Sequence, residues 1–506
     1  MAEATTSRSV HAHDERSEQV SAATVTIADL ASTLGATVLG SSAPSPVSVL
    51  SVTHDSRRVV PGALFCCVVG ATADGHEFAA SAVAAGAVGL LVQHEVDPST
   101  LPQPVPQLLV DDVRSAMAPA AAAVFGHPAQ HLRTVGVTGT NGKTTVVSTI
   151  HHVLESVGRE VRAIGTLTGA RTTPEAPDLQ SQLADMVESG VTDVAMEVSS
   201  HALALHRVDA MVFDIAVFTN LGEDHLDFHE TPEAYFAAKA MLFDPEHSRS
   251  GIVDVDDVHG RLLIDAAPAG HPMLAVSPSD AEPVRSTVSG SSFRWRERAV
   301  TYPLPGRHNV ANALLAAEAC AALGVDDDRI VAALATMPVV PGRFESVDVG
   351  QDFAVVVDFA HTPDALEAVL GTARDLADGG LLVVFGCGGD RDATKRPRMG
   401  RVASDLADVV VITSDNPRSE DPLRIIADIR SGCSGEPLVV ADRRAAIRAA
   451  CVTARSGDIV VIAGKGHEQG QDVGGTITPF DDRTVAAEVL IELASASPGA
   501  RQGNAT

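Results

Sequence analysis

A chain of 506 residues is too long for one hydrophobic core, so its length predicts roughly three domains. Its 65 acidic residues against 37 basic ones give a formal net charge of −28, which argues against a nucleic-acid or anionic-membrane surface. Nucleotide substrates are not excluded, because a few local cations and helix N-termini can hold phosphates on an acidic protein.

The predicted elements divide the chain into five segments. A polar segment, residues 1–24, is expected to be a disordered tail, and residues 25–131 are predicted to form a small α/β domain of short strands and helices. A second α/β domain spans residues 132–340 and a third spans residues 341–494. Residues 495–506 are expected to be a flexible tail.

The second domain opens with the strand RTVGVT, and a Gly-rich turn leads into a helix predicted over residues 143–158. Further strands are predicted at residues 194–198 and 215–220. Pro338 and the Pro-Gly pair that follows mark the end of this domain.

The third domain contains four apolar runs, and each ends in a Gly-rich or charged loop. Strands with polar groups at their carboxyl ends are typical of a doubly wound parallel sheet that binds ligands at that edge. The four runs are AVVVDFAHTPDAL, LLVVFGCGGDRD, VVVITSDNPRSEDP and IVVIAGKGHEQG.

The cysteines and the start of the chain bear on its cellular compartment. Six cysteines are scattered without a C-x-x-C motif, which favours buried free thiols over a disulfide framework or a zinc site. The polar start shows no apolar signal segment, and no apolar stretch reaches membrane-spanning length. We therefore expect a cytoplasmic protein without membrane insertion and without a nucleic-acid partner.

The segment GTNGKTT, residues 139–145, follows the first strand of the second domain. The usual phosphate-binding loop is spaced G-x-x-x-x-G-K-[ST], but here Val137 stands where its first glycine would be. A strand, a Gly-rich turn and a helix N-terminus nevertheless direct backbone N–H groups toward an anion. Lys143 could then reach the β- and γ-phosphates, and the Thr144 hydroxyl could bind Mg²⁺. The alternative is a Gly-rich turn without a ligand.

Further polar side chains follow two other strands of the second domain. Glu197 ends one apolar strand, and Asp224 and His225 come after the next. Mg²⁺ prefers hard oxygen ligands, so a carboxylate, a threonine hydroxyl and phosphate oxygens suit it. A lone histidine is more often a structural hydrogen-bond partner, and Lys239 on an amphipathic helix is by default a surface lysine. Position alone makes these two residues candidates.

Along the chain stand, in this order, the segments GTNGKTT, TTPEA, MEVSSHAL, FTNLGEDHLDFH with AYFAAKAMLF, GRHNVANAL, VPGRFE, DFAHTPDAL and DNPR. In order and spacing they resemble the Mur ligases, the ATP-dependent amide-bond-forming enzymes of peptidoglycan assembly. The resemblance runs from about residue 50 to residue 485. It implies a small N-terminal α/β domain that binds UDP, a central P-loop ATPase domain with a parallel sheet and a C-terminal Rossmann-like doubly wound domain. It also implies a monomeric, ADP-forming acid–amino-acid ligase.

The resemblance implies an ATP site with two Mg²⁺ ions in the second domain. Thr144 and Glu197 would hold one ion, whereas His225 and Lys239, carbamylated to N6-carboxylysine, would hold the other. Carbamylation turns the amine into an anion with two hard oxygens, which suits Mg²⁺. The catalytic residues would be Lys143, Glu197, His225 and Lys239. The ATP-binding residues would be Gly139, Thr140, Asn141, Gly142, Lys143, Thr144, Thr145, His308, Asn309, Asn312, Arg343 and Asp358.

The resemblance also implies two further substrates. UDP-N-acetylmuramoyl-L-alanyl-D-glutamate would supply a D-glutamyl carboxylate that ATP converts to an acyl phosphate, and an amine of meso-diaminopimelate would attack it. Arg418 in the DNPR loop would bind the distal carboxylate of diaminopimelate, and Glu468 would pair with its distal ammonium. The residues implied for the UDP-linked dipeptide are Ser56, Ala71, Thr72, Ala73, Thr172, Thr173, Ser199 and Arg207. Those implied for diaminopimelate are Arg391, Asp415, Asn416, Pro417, Arg418, Gly464 and Glu468.

Several alternatives stay open from the sequence. A lysine-adding Mur ligase or a folylpolyglutamate synthase-like ligase would share much of the ATP site, although Arg418 argues against both. A P-loop regulatory or transport NTPase, or a degenerate binding module, would lack the ligation step. Arg418 could be a surface charge beside acidic neighbours, and Asn309 could cap a helix. The chain departs from the family pattern at Arg171, Leu205 and Asp254.

Overall fold

The structure, a computed structural model, describes residues 24–40, 46–70 and 73–496. The predicted tail 1–24 lies outside the described residues up to residue 23, and the predicted tail 495–506 lies outside them from residue 497 onward.

The chain folds into two compact units, each assembled from three segments. The first unit comprises Met1–Arg133, Glu175–Thr192 and Leu205–Met211. The second comprises Thr134–Pro174, Asp193–Ala204 and Val212–Thr506.

The first unit is built around a five-stranded sheet in which only the first pair of strands is antiparallel. The inner strands are apolar on both faces, so helices on both sides bury two hydrophobic clusters against them. The strands, in spatial order, are Thr37–Leu39, Gln107–Leu109, Ala87–Val92, Ala63–Cys66 and Ser51–Thr53. The helices are Ile27–Leu34, Ala79–Ala84, Val113–Val124 and Ala176–Glu188.

The helix Ala176–Glu188 belongs to the first unit although a long stretch of the second unit precedes it in the chain. Its Asp178 forms an ion pair with Arg58 at 2.8 Å. The boundaries 25–131 and 132–340 assign this helix to the second domain. These boundaries stay predictions.

The second unit contains a six-stranded sheet that carries the GTNGKTT loop. Among the first four strands in spatial order, from Met273–Val276 to Arg133–Thr138, each adjacent pair is parallel. The last two, Asp193–Glu197 and Val161–Ile164, are also parallel to each other. Parallel strands end at one edge, so the loops that follow them meet there. In spatial order the strands are Met273–Val276, Gly251–Asp254, Ile215–Phe218, Arg133–Thr138, Asp193–Glu197 and Val161–Ile164. The helices of this part are Lys143–Ser156, Ser200–Ala204, Leu226–His229, Pro232–Ala240, Val258–Ala266, Arg307–Ala322 and Asp327–Ala335.

A three-stranded antiparallel sheet packs into the same core as the helix Lys143–Ser156. Trp295 and Tyr302 supply its large buried side chains, and the Tyr302 hydroxyl lies 2.8 Å from that of Thr149. The strands are Arg285–Thr287, Gly290–Trp295 and Arg298–Tyr302.

The last part of the second unit is a second six-stranded sheet, parallel except for its first pair. Helices cover both faces and bury one apolar cluster on each. In spatial order the strands are Glu345–Ser346, Ala354–Asp358, Ile459–Ala463, Leu381–Phe385, Val409–Ile412 and Leu438–Val439. The helices are Pro363–Leu376, Lys395–Leu406, Pro422–Gly432, Arg443–Thr453 and Asp482–Ala496, and a hairpin pairs Gly470–Val473 with Thr476–Pro479.

The predicted α/β class with parallel sheets is confirmed. The strand predicted at 194–198 is found at Asp193–Glu197, and the helix predicted over 143–158 ends at Ser156. All six cysteines are free, and five of them are buried. Within the described ranges, no helix is both long and apolar enough to cross a membrane.

Candidate active site

The phosphate-binding loop lies between the strand Arg133–Thr138 and the helix Lys143–Ser156. Gly139 and Gly142 have φ angles of 145° and 90°, which residues with a Cβ rarely adopt. A Cβ on Gly139 would clash with the Thr219 hydroxyl, and one on Gly142 would clash with the side chain of Asn312. Both close approaches require glycine at these two positions of GTNGKTT.

Two lysine amines meet at the carbonyl of Gly139. Lys143 Nζ donates to the carbonyls of Gly139 and Thr140, both at 2.9 Å, and Lys239 Nζ donates to Gly139 at 2.8 Å. Lys239 is 1% exposed and lies over the ring of Tyr235, 4.4 Å from its centroid. Burial lowers the pKa of both lysines, and the charge of Lys143 lowers the pKa of Lys239 further. This shift favours the neutral amine of Lys239, which is the form that adds CO₂.

Glu197 stands at the carboxyl end of its strand and is 2% exposed. Its carboxylate accepts hydrogen bonds from the backbone N–H of Thr166 at 2.9 Å and from the Thr166 hydroxyl at 3.2 Å. Gly165 lies so close that a Cβ there would clash with the same carboxylate. These contacts hold the Glu197 carboxylate in place beside the phosphate-binding loop.

Asp224 joins the loop after the strand Ile215–Phe218 to the C-terminal part of the second unit. Its carboxylate lies 3.5 Å from His225 Nε2, 3.7 Å from His361 Nε2 and 3.5 Å from Lys395 Nζ. Burial raises the pKa of Asp224, but the hydrogen bond with His361 and the charge of Lys395 outweigh this effect and lower it overall. Burial lowers the pKa of His225 to about 3, so its imidazole is neutral near pH 7 and can offer a lone pair to a metal ion.

His308, Asn309 and Asn312 lie in the first turns of the helix Arg307–Ala322. The Asn309 side chain donates to a backbone carbonyl four residues earlier at 2.8 Å, and Asn312 donates to Asn309 Oδ1 at 3.4 Å. Burial lowers the pKa of His308 to about 4, so this ring is neutral and suited to stacking on a base. Gly306 occupies the N-cap position, so the alternative in which Asn309 caps this helix is wrong.

Arg343 and Asp358 bring the C-terminal part of the unit to the phosphate-binding loop. Arg343 Nη2 donates to the Thr144 hydroxyl at 2.9 Å, and the Asp358 carboxylate accepts from two backbone N–H groups at 2.7 Å. Burial lowers the pKa of Arg343 and raises the pKa of Asp358, and the opposite charge of each partner opposes the shift.

Arg418 of the DNPR loop has a φ angle of 49°, in the left-handed region that non-glycine residues rarely occupy. Its backbone N–H donates to the carbonyl of Asp472 at 3.1 Å, and its carbonyl accepts from Gly474 N–H at 2.7 Å. The hairpin that follows Gly470 therefore holds the Arg418 backbone in this conformation.

Arg418 lines the cavity, and its Nη1 donates to the carbonyl of Gly389 at 2.6 Å. The acidic neighbour Glu420 pairs with Arg396 instead, at 2.7 Å. The surface-charge alternative for Arg418 is therefore not supported.

One cavity of about 680 Å³ in the second unit joins these loops. Its wall includes several side chains that the sequence did not single out, among them His361 and Lys395. The predicted site residues that line it are Thr140, Asn141, Gly142, Lys143, Thr144, Thr145, Thr172, Glu197, Ser199, His225, His308, Asn309, Asn312, Arg343, Asp358, Arg391, Asp415, Asn416, Arg418, Gly464 and Glu468.

Four other predicted residues of the second unit do not line this wall. The Thr173 hydroxyl donates to the Glu197 carbonyl at 2.9 Å and accepts from Ser199 N–H at 3.1 Å, so it positions its neighbours. The remaining three are Gly139, Lys239 and Pro417.

The other residues predicted for the UDP-linked dipeptide lie elsewhere in the chain. Ser56 begins a short 3₁₀ helix that Asp55 caps, and Arg207, 8% exposed, pairs with Glu175 at 2.6 Å. Their binding roles stay predictions. Ser56, Ala73 and Arg207 belong to the first unit, whereas Ala71 and Thr72 lie outside the described residues.

The small number of lysines is a feature of the sequence that marks this site, and the predictions from sequence did not use it. The chain has four lysines against 33 arginines. Lys143 and Lys395 line the cavity, while Lys239 and Lys465, 1% and 0% exposed, lie behind it. Arginine stands at the other 33 basic positions, and its planar guanidinium is not interchangeable with the compact ammonium of lysine.

Comparisons with known proteins cover all three predicted domains. Sequence profiles for the Mur ligase family catalytic domain, the Mur ligase middle domain and the Mur ligase glutamate ligase domain match residues 48–148, 137–320 and 342–466. The UDP-N-acetylmuramoyl-L-alanyl-D-glutamate–2,6-diaminopimelate ligase of Streptomyces avermitilis is 45% identical over 490 residues, or 92% of this chain and 96% of the relative. The ligase of the same name from Geobacillus kaustophilus is 45% identical over 470 residues, or 88% and 95% of the two chains.

Comparison with solved structures points to the same family as comparison with sequences. A ligase of that same name has a TM-score of 0.66 at 33% identity and is covered in full, together with 93% of this chain. MurF from Acinetobacter baumannii, at 19% identity and a TM-score of 0.66, covers 93% of this chain and 99% of its own. Folylpolyglutamate synthase from Mycobacterium tuberculosis, at 18% identity and a TM-score of 0.56, covers 74% of this chain and 93% of its own. At these identities, MurF and folylpolyglutamate synthase show the fold alone. With relatives at 45% identity over about nine tenths of its length, the chain belongs to the Mur ligase family.

Proposed function

We propose that this chain is an ATP-dependent, ADP-forming ligase that adds meso-diaminopimelate to UDP-N-acetylmuramoyl-L-alanyl-D-glutamate. The observation that carries the proposal is the meeting of the GTNGKTT loop and the DNPR loop in one cavity. The first loop suits phosphates, and the second offers Arg418 to a carboxylate. The names of the relatives support the same activity. The cytoplasmic location belongs to this proposal, because the reaction needs ATP and a nucleotide-linked substrate.

Amide formation from a carboxylate and an amine is unfavourable in water, so the carboxylate must first be activated. The D-glutamyl carboxylate attacks the γ-phosphorus of ATP, which forms an acyl phosphate and releases ADP. The amine then attacks the acyl carbon, and the tetrahedral intermediate expels phosphate and loses a proton. Lys143 and Arg343 lie at the phosphate-binding loop and stabilise the negative charge of the transferred group.

We propose Mg²⁺ as the cofactor, since the donor set fits it. Glu197 and Thr144 offer hard oxygens, and the neutral imidazole of His225 offers nitrogen. Lys239 fits only after carbamylation, because an ammonium would repel the ion, and its lowered pKa favours the amine that reacts with CO₂. When bound, Mg²⁺ neutralises phosphate charge during transfer.

The choice of amino acid rests on the loops of the C-terminal part. Meso-diaminopimelate differs from lysine by one distal carboxylate, and a guanidinium binds such a group through two parallel hydrogen bonds. Arg418 is held by its backbone, and its side chain reaches the cavity wall. This arrangement favours a doubly acidic diamino acid over lysine.

The experiment is a phosphate-release assay with mass analysis of the product. With ATP and Mg²⁺, we expect turnover only when both UDP-N-acetylmuramoyl-L-alanyl-D-glutamate and meso-diaminopimelate are present, and none from Lys143→Met. Equal turnover with L-lysine would contradict the role of Arg418. Phosphate release without any amino acid would point to a regulatory or transport NTPase instead.

A further inference from the structure

Lys465 is completely buried, although it lies in the loop after the strand Ile459–Ala463. Its Nζ donates to Asn416 Oδ1 at 2.9 Å and to Glu468 Oε2 at 3.1 Å, and it lies 3.7 Å from Asp415 Oδ1. One ammonium therefore contacts three residues predicted to bind diaminopimelate. Lys465 itself does not line the cavity, so it can act on a ligand only through these neighbours.

The contact with Lys465 sets the orientation of the Asn416 amide. Asn416 Oδ1 also accepts from the backbone N–H of Asp472 at 3.1 Å, and Asn416 Nδ2 donates to Glu468 Oε2 at 2.8 Å. Two N–H donors face Oδ1, so a flip of the amide would place its NH₂ group against both of them. Glu468 Oε2 receives both bonds, and Oε1 is left to accept from a substrate ammonium.

The same ammonium offsets the negative charge behind the cavity wall. Burial raises the pKa of Asp415, and the charges of Arg443 and Lys465 oppose this rise. Arg443 is committed to Asp482, whose two carboxylate oxygens it contacts at 2.7 Å. Lys465 is therefore the cation that contacts both Asp415 and Glu468 directly.

The composition of the chain supports a specific requirement for lysine here. Lys465 is one of four lysines, and the other three lie at the phosphate-binding loop or on the cavity wall. A guanidinium is larger and planar, so it would not place one compact charge among three acceptors in a fully buried site.

We propose that Lys465 is a positioning residue for the incoming amino acid, which it serves by presetting the Asn416 amide and the Glu468 carboxylate. This inference rests on the proposed function. It predicts that loss of Lys465 weakens binding of the diamino acid and leaves the nucleotide site unchanged.

The test compares Lys465→Met with the wild-type chain in the phosphate-release assay. We expect the KM for meso-diaminopimelate to rise about tenfold to hundredfold, because Asn416 and Glu468 lose a buried charged partner, while the KM for ATP changes less than about twofold. Arg448→Met is the matched control, since it removes an exposed cation that pairs with Glu492 in the same part of the chain. It should leave both KM values unchanged.

A double-mutant cycle separates positioning from general destabilisation. In a Glu468→Gln background, Lys465→Met should raise the KM for meso-diaminopimelate by a smaller factor than in the wild type, because the ion pair with Glu468 is already lost and only the contact with Asn416 remains to be removed. KM increases that multiply across the two substitutions would overturn the proposal. Equal rises in the KM values for ATP and meso-diaminopimelate, together with a lower melting temperature, would overturn it as well. A wild-type chain that shows no turnover with meso-diaminopimelate would instead refute the proposed function before any variant is made.

Discussion

Asp254 allows the electrostatics of the cavity to be tested by a single substitution. It ends the strand Gly251–Asp254, is 8% exposed and lines the cavity. Burial raises the pKa of Asp254 from its ordinary value of 3.8 to about 6, and the charges of Asp256 and Asp257 add to the rise. The folded chain therefore holds this carboxylate charged at neutral pH at a cost.

The magnitude follows from the two pKa values. A group whose pKa rises on folding contributes stability below about pH 4 and loses it as the pH rises through about 6. The change from 3.8 to about 6 corresponds to about 3 kcal/mol. This is an upper limit, since water at the cavity wall screens the charge, and about 1–2 kcal/mol is the expected effect. Asp254→Asn removes the charge and keeps the oxygen that accepts from Asp256 N–H at 2.9 Å.

The assay is thermal unfolding of the wild type and Asp254→Asn from pH 5 to 8.5, without nucleotide or Mg²⁺. We expect the variant to melt about 1–2 °C higher at pH 8, with roughly half of this advantage at pH 5. Asp265→Asn, which changes an exposed carboxylate on the helix Val258–Ala266, should show no such dependence on pH. A variant less stable than the wild type at pH 8, or an advantage of equal size at both pH values, would refute the reasoning.

Three further substitutions probe the site. Lys239→Ala should lower kcat at least about 100-fold in the phosphate-release assay, and added acetate should restore part of it; full activity without acetate would exclude the carbamate. Arg418→Leu should raise the KM for meso-diaminopimelate at least about 30-fold at an unchanged KM for ATP, and an unchanged preference over L-lysine would show that another residue reads the carboxylate. Gly139→Ala should weaken ATP binding in calorimetry because of the clash with Thr219, and Thr219→Ala in the same chain should restore part of it; wild-type affinity in the single variant would contradict the steric argument.

The sequence predicts those parts of the site that are formed by residues close together in the chain. A strand, two glycines and Lys143 within a few residues identify the phosphate-binding loop, because one turn of backbone creates that site. Arg418 was predictable for the same reason, since it lies in a loop at the end of an apolar run. Local pattern likewise predicts the parallel sheets.

What the sequence did not predict depends on contacts between distant segments. Lys395 contacts Asp224 although 171 positions separate them in the sequence, and no local sequence pattern predicts that contact. Lys465 appears in a loop as an ordinary cation until its burial and its three partners are known. The helix Ala176–Glu188 has an unremarkable amphipathic pattern, so its membership of the first unit follows only from tertiary packing.

The confinement of all four lysines to one cavity and the layer behind it has a spectroscopic consequence. In protein labelled with ¹⁵N only at lysine side chains, every side-chain resonance would come from the substrate region, and resonances shifted by nucleotide could be told apart from those shifted by the diamino acid. If Lys239 is carbamylated as proposed, dissolved ¹³C-bicarbonate would add a signal bonded to its nitrogen. A protein of this length would thus report its chemistry through four side-chain resonances.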